Sequence, residues 1–163
     1  AKSEGSPSEA GIYMDGRAVF EYVVKVMGFP PSRIFLLGRS IGSTVATDLA
    51  RDKGIAGLIL VSPLSSARDQ ASVMGLGFAA SLVGSAFENH RKIKRLKAPL
   101  LVMHGTIDQI VPIRLGRKVF DGASSPKFFH EIQGAGHNNL SNRFAKSYWK
   151  TISVFLKRSS KNR

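Results

Sequence analysis

A serine hydroxyl is a poor nucleophile near neutral pH. It attacks an acyl carbonyl only when a turn exposes it, a base takes its proton and hydrogen-bond donors meet the oxyanion that forms. Gly38-Arg39-Ser40-Ile41-Gly42 has the G-x-S-x-G form that supplies such a turn. The pentapeptide alone is common. Here it stands between an apolar run, Arg33 to Leu37, and a segment with apolar residues at Val45, Ala46, Leu49 and Ala50. Strand, sharp turn and helix are therefore predicted in that order, with Ser40 as candidate nucleophile. Gly38 and Gly42 are expected where side chains would collide with the neighbouring strand and helix. The Ile41 N–H, at the start of the helix, is the expected oxyanion donor.

An acid and then a histidine should follow, each on a loop after a later strand, because chemistry in open parallel sheets gathers at the carboxyl ends of the strands. Asp108 lies in His104-Gly105-Thr106-Ile107-Asp108-Gln109-Ile110-Val111-Pro112, after the run Leu100 to Met103. His137 lies in Gly134-Ala135-Gly136-His137-Asn138-Asn139, after Lys127 to Ile132. A turn aspartate and a solvated loop histidine are the competing structural readings. Their order and placement after Ser40 favour acid and base. His104 sits at a strand end, where it either packs or supports the acid loop; His90 and His130 lack a catalytic context. No spacing of histidines and carboxylates suits zinc, and no carboxylate pair suits glycoside hydrolysis. Neither a metal nor another cofactor is expected.

The elements that must hold these residues alternate. Tyr13 to Met27 carries Ala18, Val19, Tyr22, Val23 and Val26 at helical spacing, stopped by Gly28 with Pro30 and Pro31 beyond. Gly57 to Val61 and Leu100 to Met103 read as strands buried on both faces, while Lys127 to Ile132 mixes faces and belongs nearer a sheet edge. Helical patterns fill Ile113 to Phe120 and Asn142 to Leu156. The expected fold is α/β: one domain over residues 1–163, with a mostly parallel sheet, helices on both faces and right-handed crossovers. The uncharged run Ala71 to Phe87 is short for a membrane span and reads as a buried or half-buried helix or as an apolar lid, with 71–97 as a lid or cap segment. Gly75, Gly77 and Ala80 also fit G-x-G-x-x-A, but no strand precedes them, so dinucleotide binding is not expected.

Composition narrows the partners. The chain has no cysteine, which removes disulfides, thiolate metal sites and a cysteine nucleophile, and fits an intracellular setting. A net charge of +13 favours an anionic partner. The basic runs His90 to Lys97 and Lys157 to Arg163 lack interleaved aromatics, so nucleic acid is not expected. An anionic membrane surface suits them better, beside the simpler reading of a solvated face or tail. No secretory signal opens the chain, and Ala1 to Ser8 reads as a loop with no strand before it.

Together these motifs resemble the α/β-hydrolases, in particular the depalmitoylase-like and other acyl-hydrolase members of the alpha/beta-hydrolase-domain proteins. Lys2 to Glu9 is similar to the tail of the family's G-Y-G-x-S-x-G-x-P-S-E loop; GRSIG, HGTIDQIVP and GAGHNNL complete the likeness. The resemblance implies an esterase or thioesterase: Ser40 attacks, His137 moves the proton, Asp108 orients His137, and water releases the acyl-enzyme. It marks Asn138 as a companion of His137. It also implies strands ahead of this loop, with a further oxyanion donor that this sequence does not contain. An exposed apolar edge at Arg33 to Leu37 is then expected, with activity lower by about a hundredfold to a thousandfold. A non-catalytic binding module and a serine peptidase are the alternatives. Oligomeric state stays open.

Overall fold

The computed structural model describes residues 6–77 and 84–161. Four strands, β1 (Phe35–Arg39), β2 (Gly57–Val61), β3 (Leu100–Gly105) and β4 (Lys127–Ile132), form one sheet in the order β1-β2-β3-β4, every pair parallel. Each crossover carries helix: α2 (Gly42–Ala50) after β1, α3 (Ala67–Val73) and the short α4 (Asn89–Lys92) after β2, and α5 (Ile113–Gly122) after β3. The helix α1 (Glu9–Lys25) precedes the sheet and α6 (Ala145–Lys161) closes it.

The unbroken apolar runs of β2 and β3 follow from burial on both faces, because successive side chains point to opposite sides of the sheet. Leu58, Leu60, Leu100 and Val102 enter a core with Phe20 of α1, Leu49 of α2 and Val119 of α5. Ile59, Val61, Leu101 and Met103 enter the opposite core with Tyr148, Ile152 and Phe155 of α6. β4 lies at one edge of the sheet, and β1 at the other with Leu37 48% exposed.

Several local expectations shift. α1 begins at Glu9 rather than Tyr13 because the Ser8 hydroxyl accepts from the Gly11 N–H and caps it. Its buried residues are Tyr13 and Phe20, whereas Val19, Tyr22 and Val26 of the expected stripe are exposed. β1 starts two residues late because Pro31–Arg33 forms a 3-10 turn, and its end runs into the elbow. The buried or half-buried helix expected over 71–87 does not run on: among the described residues only its first three are helical, at the end of α3, and Met74 and Leu76 beyond them are exposed. Residues 78–83 of that run, with Ala80 of the glycine pattern, lie outside the described residues, as do residues 2–5 of Lys2 to Glu9.

The basic run 90–97 is largely built into the fold. Lys92 Nζ lies 3.2 Å from Asp48 and 3.8 Å from the centre of the Tyr13 ring, while Arg91 pairs with Glu88 and Arg95 with Asp52. Among the described residues no helix is long and apolar enough to cross a membrane.

Candidate active site

Ser40 stands between β1 and α2 with φ of 52°, a left-handed conformation that a residue with a side chain rarely adopts. Two backbone bonds hold it there. Its N–H donates to the Val61 carbonyl at 3.0 Å, and its own carbonyl accepts from the Ser43 N–H. Gly38 fits the expected collision: a Cβ there would lie 2.5 Å from the Gly42 carbonyl oxygen and 2.8 Å from Ala46 Cβ. Gly42 does not fit it, because a Cβ there would meet nothing within 4 Å. The tight approach is between β1 and α2, and Gly42 points away from it. The Ile41 N–H donates to no backbone acceptor among the described residues and opens the α2 N-terminus, where partial positive charge gathers.

Asp108 is buried and fully engaged. Its Oδ1 accepts from the Ile110 and Val111 N–H groups at 3.0 and 2.9 Å, and its Oδ2 faces His137 Nδ1 at 2.8 Å. Three donors on one carboxylate fix its plane. Because Nδ1 donates to Asp108, Nε2 of His137 is left as the basic nitrogen. His104 joins from behind: fully buried at the end of β3, it donates from Nε2 to the Val111 carbonyl at 2.8 Å, with the same nitrogen 3.5 Å from Asp108 Oδ2. Burial lowers its pKa below the usual value, against the Val111 carbonyl and the Asp108 carboxylate, which favour the charged form. His104 therefore supports the acid loop as a neutral ring.

The Asp108 and His137 loops meet because β3 and β4 end side by side. The Thr106 N–H donates to the Ile132 carbonyl, the Ile107 N–H to the Ala135 carbonyl, and the Gly134 N–H to the Thr106 hydroxyl. Gly105 permits this approach, since a Cβ there would collide with the Ala135 carbonyl.

Ser40 is joined to this pair through its neighbour. Nη2 of Arg39 donates to the His137 carbonyl and to Asn138 Oδ1, at 2.7 Å each. Among the described residues no hydrogen bond links the Ser40 hydroxyl to the His137 ring, so Arg39 is the observed clamp between elbow and histidine loop. Sequence reasoning passed over Arg39 as the unspecified x of the pentapeptide. It also passed over Asn89, fully buried, whose Nδ2 donates to the Ser43 hydroxyl at 3.0 Å and to the Leu64 carbonyl at 2.9 Å, bracing the first turn of α2. No short motif marks either residue. His90 bonds to the Ser65 carbonyl and His130 to the Ser147 hydroxyl, both away from the pair. Exposed Ile41, Ile107 and Ile110 flank the elbow and the acid loop, giving this end of the sheet an apolar rim.

No family model matches the chain. In sequence it is 35% identical over 138 residues to the alpha/beta hydrolase domain-containing protein aho-3 of Caenorhabditis elegans, covering 85% of this chain and 41% of that protein. It is 31% identical over 141 residues to the human alpha/beta hydrolase domain-containing protein 17B, covering 85% of this chain and 47% of that one. The chain thus spans less than half the length of these relatives. Among solved structures, an alpha-beta hydrolase from Vibrio vulnificus superposes with a TM-score of 0.78 at 26% identity, over 94% of this chain and 59% of that one. A monoacylglycerol lipase from Paleococcus ferrophilus does so at 0.68 and 21% identity, over 90% of this chain and 76% of that one, a likeness of fold.

Proposed function

The chain belongs to the α/β-hydrolases, and on that footing we propose that it carries the catalytic half of a serine hydrolase for acyl esters or thioesters. The observation that carries this reading is the His137–Asp108 bond of 2.8 Å, on an aspartate held by two backbone amides, at the same sheet end as Ser40 in its left-handed turn. Ser40 Oγ attacks the acyl carbon and its proton passes to His137 Nε2. Asp108 stabilises the imidazolium that results. The Ile41 N–H meets the oxyanion. The tetrahedral species collapses, the leaving alcohol or thiol takes the proton from His137, and the acyl group stays on Ser40. Water, deprotonated by His137, then releases the carboxylic acid and restores the hydroxyl.

The apolar rim of Ile41, Ile107 and Ile110 suits an acyl substrate better than a charged one. Attraction to an anionic bilayer belongs to the same proposal and rests on exposed lysines such as Lys94 and Lys97, outside the ion pairs that hold the rest of their segment.

A fluorophosphonate probe tests the reading, since it modifies only an activated serine. Labelling of the chain that Ser40→Ala and His137→Ala both abolish is expected. A folded chain that resists labelling would instead be a hydrolase-fold binding module.

A further inference from the structure

A second recess lies away from the site, between α6 and the outer edge of β4. It has a volume of about 420 Å³ and is lined by Phe128, Val154 and Phe155, with Lys150 and Arg158 at its margins. Phe128 is 43% and Val154 40% exposed, so the apolar floor faces water.

Three features define what fits. The first is unpaired backbone. β4 pairs with β3 on one side, where the Pro126 and Ile132 carbonyls accept from β3 and the residue after it; among the described residues no strand lies on the other side. Backbone groups alternate sides along a parallel ladder, so the N–H and C=O groups of Lys127, Phe129 and Glu131 point outward.

The second is charge. Among the described residues neither Lys150 nor Arg158 has an acidic partner, and no carboxylate lines the recess. The third is spacing. α6 runs antiparallel to β4, since His130 meets Ser147 near its start and Phe128 meets Phe155 towards its end. Lys150, Val154 and Arg158 recur every fourth residue, about 6 Å apart along the helix. Alternate residues of an extended strand recur at about 6.6 Å, close enough to match three in a row.

We propose that this recess binds an extended acidic peptide of a partner protein, which adds a fifth strand at β4 and places an acid–x–apolar–x–acid pattern against Lys150, Val154 and Arg158. Main-chain bonds to Lys127, Phe129 and Glu131 hold the strand, and the helix stripe reads its alternate side chains. The stripe is the same in both directions, so it selects composition rather than strand polarity. A fatty-acid anion would satisfy one cation and the floor, but it would leave the backbone edge unpaired.

The test uses the 163-residue chain and a fluorescein-labelled peptide, Thr-Glu-Thr-Val-Thr-Glu-Thr, followed by anisotropy at low salt. The expected result is saturable binding that weakens at least about tenfold in a Lys150→Glu, Arg158→Glu double variant with an unchanged circular dichroism spectrum. Two peptides N-methylated at alternate residues separate strand addition from simple charge attraction, and only one of them should keep its affinity. Equal binding of both methylated peptides overturns the proposal. So does a double variant that binds as the parent does, or a recess that takes dodecanoate but none of the peptides. None of these readouts involves Ser40, so failure here and failure of the hydrolase reading are told apart.

Discussion

Arg39, beside the proposed nucleophile Ser40, ties two loops of the candidate site together. Its two charge-assisted bonds to the His137 carbonyl and Asn138 tie the histidine loop to the residue before Ser40. Each such bond contributes about 1.5–3 kcal/mol where it is dry and less where, as here, the guanidinium is exposed. Arg39→Ala is therefore expected to slow fluorophosphonate labelling about tenfold, or about 1.4 kcal/mol, while the melting temperature barely moves. Arg39→Lys, which keeps the charge but not the fork, should fall between the two. An Arg39→Ala chain that labels at the parent rate would leave the clamp without a catalytic role. Asn138, which the family likeness marked as a companion of His137, is Arg39's second acceptor.

At the scale of elements, the end of β3 and its connection to α5 carry both Asp108, the proposed acid, and His104 behind it. His104 is sealed at the end of β3, its ring pressed against Gly116 of α5, and its Nδ1 has no partner among the described residues. The folded-state pKa is lowered, so the unfolded chain binds the proton more readily. Stability from this group is thus fully present above about pH 6.5 and is lost as pH falls towards the folded value. Urea unfolding between pH 7 and 5 should show a slope of at most about 1.4 kcal/mol per pH unit from this one proton. His104→Asn should flatten that slope, and a slope indifferent to the substitution would remove His104 from the account.

For the molecule as a whole, the property that bears on partners is its net charge. A net charge of +13 on 163 residues persists after the ion pairs of Lys92, Arg91 and Arg95 are subtracted, and it should draw the chain to phosphatidylserine vesicles at low salt. Co-sedimentation is expected to decline as salt rises towards about 0.5 M, because the screening length shrinks. Reversing Lys94 and Lys97 to Glu should weaken it about tenfold or more, at about 1 kcal/mol per cation near the surface. Absence of binding at low salt would end this reading. The exposed apolar edge expected at Arg33 to Leu37 falls two residues further on, at β1, where Leu37 is exposed.

The four strands, the helices α1, α2, α5 and α6, the two-faced burial of β2 and β3, and the order in which Ser40, Asp108 and His137 follow the strands were legible in one dimension. Apolar periodicity reports how many faces an element buries, and residue type limits which chemistry is available. Which face of α1 turns inward was not legible, because that depends on what packs against it: Tyr13 and Phe20 are buried while Val19, Tyr22 and Val26 face water. The edge position of β4 was legible from its mixed faces, but the Arg39 clamp and the Asn89 brace were not. Each joins residues far apart in the chain, at 98 positions for Arg39 and His137 and 46 for Asn89 and Ser43, and only the closing of the sheet brings them within bonding distance.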